Sequence, residues 1–154
     1  MSLLIGEYEV TLDAKGRFLM PSSLRKQLPE EEQSDFVLHK GLDDCLVMYP
    51  KNVWAQEVQK IQRLNMYEIK NRTFARLFLS GVSILKLDNQ DRGLISKYLS
   101  EKAGLKKDLI MLAQLDRIEI WDKETYQNWL STAETDFAAL AQEVMNSITV
   151  NSHQ

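Results

Sequence analysis

The apolar positions fall first into short alternating runs broken by tight turns, then into longer stripes at helical spacing. In EYEVTL, Tyr8, Val10 and Leu12 alternate with polar residues, which sets them on one face of a strand. Asp13-Ala14-Lys15-Gly16 follows as a turn, in which the aspartate can accept from amides ahead of it and Gly16 can take a positive φ. RFLM reads as the return strand of a hairpin. Pro21 then opens a short helix in SSLRKQL, where its missing N–H costs little. FVLHK and CLVMY are further strands about a turn at 41–44. The same order recurs in SILKL, GLI, a short helix near 97–103, LIMLAQ and RIEIW. Helical stripes follow each set. Trp54, Val58 and Ile61 share one face, a second helical run covers about 66–79, and Tyr126, Leu130, Ala133, Phe137, Leu140 and Val144 step by four and three. That last stripe can pack on its own barrel or on a neighbouring subunit. The final NSHQ, with His153, is expected to fray.

The recurrence is a sequence repeat. Adding 75 carries Gly6 to Gly81, Asp13 to Asp88, Arg17 to Arg92 and Leu24 to Leu99. An offset of 73 then carries DFVLHKGLD, from Asp35, onto DLIMLAQLD, from Asp108, and one more gap aligns LVMYP with IEIWD. The boundaries read as repeat one over 6–53, connecting helices over 54–80, repeat two over 81–124 and a C-terminal amphipathic helix over 125–150. A four-stranded unit of this size leaves edges exposed and buries little, and pairing two such units in one barrel solves both problems. The expected fold is therefore α+β: a pseudo-twofold β-barrel from two repeats, flanked by helices.

Composition changes this picture little, and charge changes it more. The 154 residues are 44% hydrophobic, with no apolar run long enough to span a membrane and no signal-peptide pattern at the N-terminus. The single cysteine, Cys45, leaves no internal disulfide and suits a reducing compartment; in its apolar strand it is expected to be buried and inert. The net charge is −3, but it is uneven. Residues 1–50 hold five bases against nine acids, 51–107 twelve against five, and 108–154 two against eight. Such asymmetry can present a basic face to a polyanion, or can be a set of solvated helix faces. His39 reads as a packed or surface histidine, and with His153 and Cys45 it makes no metal set. Glu30, Glu31 and Glu32 form a charged loop. Trp54, Trp121 and Trp129 are expected in core or interface. No phosphate-binding loop, dinucleotide fingerprint or nucleophile motif occurs, so no enzyme, cofactor or metal is expected.

From TLDAKGR onward, through KLDNQDRG, GLDDCLVMYP and LDRIEIWD, the sequence resembles the MraZ family of bacterial regulators. Two Asp-x-x-x-Arg elements at the right separation, each followed by the same strand pattern, make that match specific. The resemblance implies two SpoVT/AbrB-like units in a cradle-loop (double-split) barrel, ring-shaped homo-oligomers, and binding to short repeated boxes in double-stranded promoter DNA. It implies transcriptional regulation, usually repression, of the division and cell-wall gene cluster by a cytoplasmic protein on the nucleoid. The element it assigns to DNA is Asp13, Lys15, Gly16 and Arg17. The second repeat departs from the family pattern. Asp91 stands where glycine is usual, Ser96 takes the place of Pro21, and Ser100 that of Arg25. That loop is expected to be less basic and differently shaped.

For Lys15 and Arg17 two readings stand side by side. Arg17 can pair with Asp13 and only stiffen the turn, or both bases can face DNA, Arg to a guanine edge and Lys to phosphate. The resemblance favours DNA contact, with Asp13 and Gly16 organising the turn. Asp88 and Arg92 read as a structural pair. Arg25 and Lys26 either add phosphate contacts or face solvent. Arg72 and Arg76, one helical turn apart, suit a subunit interface with an acidic neighbour or simply solvent. Alternatives to a DNA-binding regulator are an antitoxin-like barrel module whose acidic C-terminal helix neutralises a toxin, and a ring scaffold for a protein partner.

Overall fold

The structure, a computed structural model, describes residues 3–152; His153 lies outside them. It divides after Lys123 into two compact units. In the first, β1 (Leu4–Thr11) and β2 (Arg17–Leu19) precede helix α1 (Ser22–Arg25) and a 3-10 turn at Glu30–Glu32. Then come β3 (Asp35–Lys40), β4 (Leu46–Pro50) and helices α2 (Lys51–Gln62) and α3 (Ile69–Leu79). Repeat two supplies β5 (Ser83–Lys86), β6 (Arg92–Leu94), α4 (Lys97–Lys102), β7 (Asp108–Leu115) and β8 (Arg117–Asp122). The architecture is α+β, as expected from the alternation of strands and short helices.

The strands do not pair within their own repeats. β1 forms no ladder with β2. It runs antiparallel to β7 over its whole length, from Leu4 opposite Leu115 to Thr11 opposite Asp108. β5 likewise joins β3, so each repeat's first strand is donated to the other repeat. β3 and β4 do form a local hairpin, and β4 meets β8 with Val47 opposite Glu119. The six-stranded sheet therefore has the order β1-β7-β8-β4-β3-β5, and β2 and β6 form a separate two-stranded ribbon. Two expectations are corrected here. The 11–21 stretch is not a strand hairpin, because an eight-residue ladder with β7 satisfies more backbone than the three residues of β2 could. The barrel is not closed either: the main ladder ends at β1 and β5.

The exchange creates one shared core. Leu24 and its equivalent Leu99 are both fully buried, as are Leu38 and Met111, so each repeat's apolar face is completed by the other. Burying each such side chain contributes roughly 1.5–3 kcal/mol. In the ribbon, Phe18 lies opposite Gly93, its own equivalent, so the pseudo-twofold axis passes through that pair. One phenyl ring fills the space there. A Cβ on Gly93 would come within 3.0 Å of Phe18 and 2.9 Å of Leu85.

A second, smaller cluster sits on the other side of β4. Val47, Tyr49, Val53 and Trp54 pack there, and Trp54 stacks on Phe78 at 5.7 Å. His39 completes this box, 3% exposed and 4.3 Å from the Phe78 ring, and burial pushes its pKa down to about 4. Cys45, just before β4, is buried, and burial raises its thiol to about 12, which keeps it protonated and inert. The second unit contains most of α5 (Lys123–Ala133), a 3-10 turn at Glu134–Asp136 and α6 (Phe137–Ser152). The single stripe read from the sequence is thus interrupted. Phe137, Leu140 and Val144 are exposed, and Trp129 is half exposed and stacks near Tyr126.

Candidate nucleic-acid interface

The 13–17 loop is built around one carboxylate. Asp13 Oδ1 accepts from the amides of Lys15 and Arg17, both at 2.9 Å, and Oδ2 accepts from Arg17 Nε at 2.8 Å. The backbone closes the loop through Asp13 N to Arg17 O and Gly16 N to Asp13 O. Gly16 sits at φ +84, where a side chain is strained. The Arg17 amide, with the other donors, holds the Asp13 carboxyl below its ordinary range. Arg17 is therefore anchored by Nε alone, and its two terminal nitrogens have no partner among the described residues. The pairing with Asp13 is present, and it orients a guanidinium whose terminal nitrogens stay available.

The 88–92 loop repeats this construction bond for bond. Asp88 Oδ1 accepts from the amides of Gln90 at 2.9 Å and Arg92 at 3.0 Å, and Oδ2 from Arg92 Nε at 2.9 Å. The expectation of a differently shaped second loop is corrected. Asp91 adopts φ 61, the conformation that glycine takes in the first loop, because a short polar side chain tolerates the left-handed region. The loops also brace each other across the axis, with Met20 N donating to Asp91 O and Ile95 N to Gly16 O.

Between the loops lies the ribbon. Its register places Arg17 opposite Leu94 and Leu19 opposite Arg92, and the alternate pair, Phe18 and Gly93, faces the core. The outer face therefore presents two arginines and two leucines, the leucines 61% and 59% exposed. A two-stranded ribbon of this kind has the width of a DNA major groove, arginine matches a guanine edge, and an apolar side chain matches a thymine methyl.

The remaining sequence-read candidates are placed as follows. Lys15 is exposed at the loop tip, and its ammonium forms no ion pair among the described residues. Arg25, in α1, points its guanidinium at Asp91, 3.4 Å away, and its Nε is buried without a partner. Lys26 is exposed. Arg72 donates through Nη1 to the carbonyls of Met66 and Tyr67, and so fixes the entry to α3 within the chain. Arg76 is exposed on the same helix, near the exposed Ile69 and Leu77. Among the described residues no group of three or more His, Cys, Asp or Glu side chains could hold a metal ion, and no helix is long and apolar enough to cross a membrane.

Sequence reasoning missed three lysines. A concavity of about 800 Å³ opens beside the first loop, floored by residues 11–16 and walled by Lys97, Lys106 and Lys107 of repeat two. The excess of bases over 51–107 was the available signal, but nothing local said which of them would face loop one. Leu19 and Leu94 were missed too, since an isolated leucine in a strand reads as core.

The chain is thus a duplicated, strand-exchanged α+β protein with a short arginine-bearing ribbon beside a lysine-walled concavity. A family model described as "MraZ protein, putative antitoxin-like" matches the chain twice, over residues 3–77 and 78–147. Proteins named "Transcriptional regulator MraZ" are similar along nearly its full length. That of Flavobacterium psychrophilum is 40% identical over 96% of this chain and 95% of its own. That of Christiangramia forsetii is 39% identical over 94% of each, and that of Natranaerobius thermophilus 36% identical over 94% of this chain and 98% of its own. The chain belongs to the MraZ family.

Proposed function

We propose that this chain is a non-enzymatic transcriptional regulator that binds repeated boxes in double-stranded promoter DNA, and that it represses the division and cell-wall gene cluster containing its own gene. The observation that carries this reading is the split use of Arg17. Its Nε is fixed by Asp13, which sets the plane of the guanidinium, while its terminal nitrogens have no partner among the described residues. Pre-orientation of this kind lets an arginine reach a base edge without first ordering a long side chain. Lys15 supplies a softer contact to phosphate. Arg25 is a supporting contact, held near the ribbon by Asp91. The sheet and ribbon together are read as a double-split cradle-loop barrel. The names of the relatives support the regulatory role.

One chain offers few bases, so affinity for a single box is modest and salt-sensitive. A ring of copies raises the effective concentration on a repeated operator. The α3 face carrying Arg76, Ile69 and Leu77, with its entry fixed by Arg72, is the proposed ring contact. Such a protein works in the cytoplasm at the nucleoid. The test is binding of purified protein to duplex DNA from upstream of its own gene, carrying one box or several in tandem. Tandem boxes should bind on the order of a hundredfold more tightly, and Arg17→Ala, still assembled, should lose the preference for upstream DNA. Equal affinity for one box and several would remove the ring from this reading, and normal binding by Arg17→Ala would remove the site. The family description also keeps an antitoxin role in view. Co-purification with a toxin, without retention on DNA, would move the reading there.

A further inference from the structure

We infer that the concavity beside the first loop is a binding site for the phosphodiester backbone of duplex DNA, assembled from both repeats; this rests on the regulatory reading above. Its floor is the 11–16 segment of repeat one, which carries Lys15. Lys97, Lys106 and Lys107 of repeat two line it as well, together with Thr11 and Ser100. Strand exchange is what gathers them. Leu12 N donates to Lys107 O at 2.8 Å, so the ladder of β1 on β7 continues into the loop and delivers the lysine pair beside it.

The chemistry selects a polyanion. Lys15, Lys97 and Lys107 line the space against one acid, Asp13, and that carboxylate is already occupied by three donors. Lys97 is 90% exposed and its nearest acid, Glu101, lies at 4.0 Å, a pair too solvated to hold it. Lysine ammoniums on flexible stems suit phosphate oxygens, which need charge and not a planar fork. The open shape fits a strand running past, and the ribbon beside it would face the groove that this strand borders.

The pseudo-equivalent place beside the second loop serves as an internal contrast. There Leu87 N donates to Ser34 O, matching the Leu12 to Lys107 bond. The positions equivalent to Lys97, Lys106 and Lys107 are Ser22, Gln33 and Ser34, and Gln90 stands for Lys15. The backbone is the same but the charge differs: Lys86 and Arg25 stand for Thr11 and Ser100, and Asp91 adds a second acid, so the four-lysine set beside loop one is not a requirement of the fold.

The experiment measures the full-length chain, Lys97→Gln/Lys107→Gln, a Lys51→Gln control and Arg17→Ala on two duplexes of equal length: one from upstream of the gene, one of unrelated sequence. Affinity is followed across a salt series. Lys97 and Lys107 are exposed, so the double variant keeps its fold, which circular dichroism verifies. The expected result is a slope of log affinity against log salt reduced by about two in the double variant, alike on both duplexes, with the control unchanged. An unchanged slope in the double variant, with Arg17→Ala still losing its preference for upstream DNA, overturns the inference and leaves the regulatory reading intact. Failure of the unmodified chain to bind upstream DNA overturns both.

Discussion

Residues 13–17 and 88–92 fold into superimposable loops, each an aspartate accepting two amides and an arginine Nε four residues on. Around the first stand Lys15, Lys97, Lys106 and Lys107; around the second stand Gln90, Ser22, Gln33 and Ser34, and Asp91 holds Arg25. The backbone is set by the carboxylate, which both loops keep. The electrostatics are set by neighbours that can change without touching that hydrogen-bond set. A duplicated fold can therefore retain both copies for architecture while only one gathers a cluster of lysines.

The comparison is broken most forcefully at the axis. Phe18→Ala empties the ribbon's core side and should cost about 3–5 kcal/mol of stability, measured by chemical denaturation. Gly93→Phe alone overpacks the same space. Made together with Phe18→Gly it should recover much of the loss, because the axis relates the two positions; a double variant no better than either single one would mean that the repeats are not interchangeable there.

Next in size is binding. Arg17→Ala should weaken promoter binding by about 1–3 kcal/mol, roughly ten- to a hundredfold, in fluorescence anisotropy. Arg92→Ala should change it by less than about threefold if the charge setting, and not the loop shape, decides contact. Equal losses would make both loops readers.

Smaller again is Asp91→Gly. It relieves a left-handed aspartate and releases Arg25, so stability should stay within about 0.5 kcal/mol. Affinity for DNA should rise at low salt and return to that of the parent at high salt.

The smallest effect is a shared response to acid. Asp13 and Asp88 both have folded pKa values below their ordinary range, first because an amide four residues on donates to each. The stabilisation they give is present above the ordinary aspartate range and is lost as pH falls through the folded values. The Arg17 and Arg92 amide resonances, followed by NMR, should shift together in that window. Titration at clearly different pH would show that the loops are not equivalent.

The short-range features were legible because their causes are short-range. Asp13 and Gly16 specify a turn by side-chain-to-amide bonding and a positive φ, and both are visible within five residues. The expectation that Asp91 would reshape the second loop failed for the complementary reason. It weighed the absence of glycine, but the carboxylate of Asp88 fixes the backbone and aspartate tolerates the left-handed region at modest cost. The hairpin assigned to 11–21 failed because alternation identifies a strand without identifying its partner.

By itself, then, the sequence determined the duplication, the order of strands and helices, the two carboxylate-centred turns and the family. All of these rest on contacts between residues near in the chain or on a fixed offset between copies. Only the tertiary structure decided that β1 pairs with β7 and β5 with β3, that the ladder stays open, and that Lys97, Lys106 and Lys107 come to lie beside Lys15. Which edge a strand finds depends on the summed burial and hydrogen bonding of the whole sheet, and a charge 82 to 92 positions away enters a site only once that pairing is made.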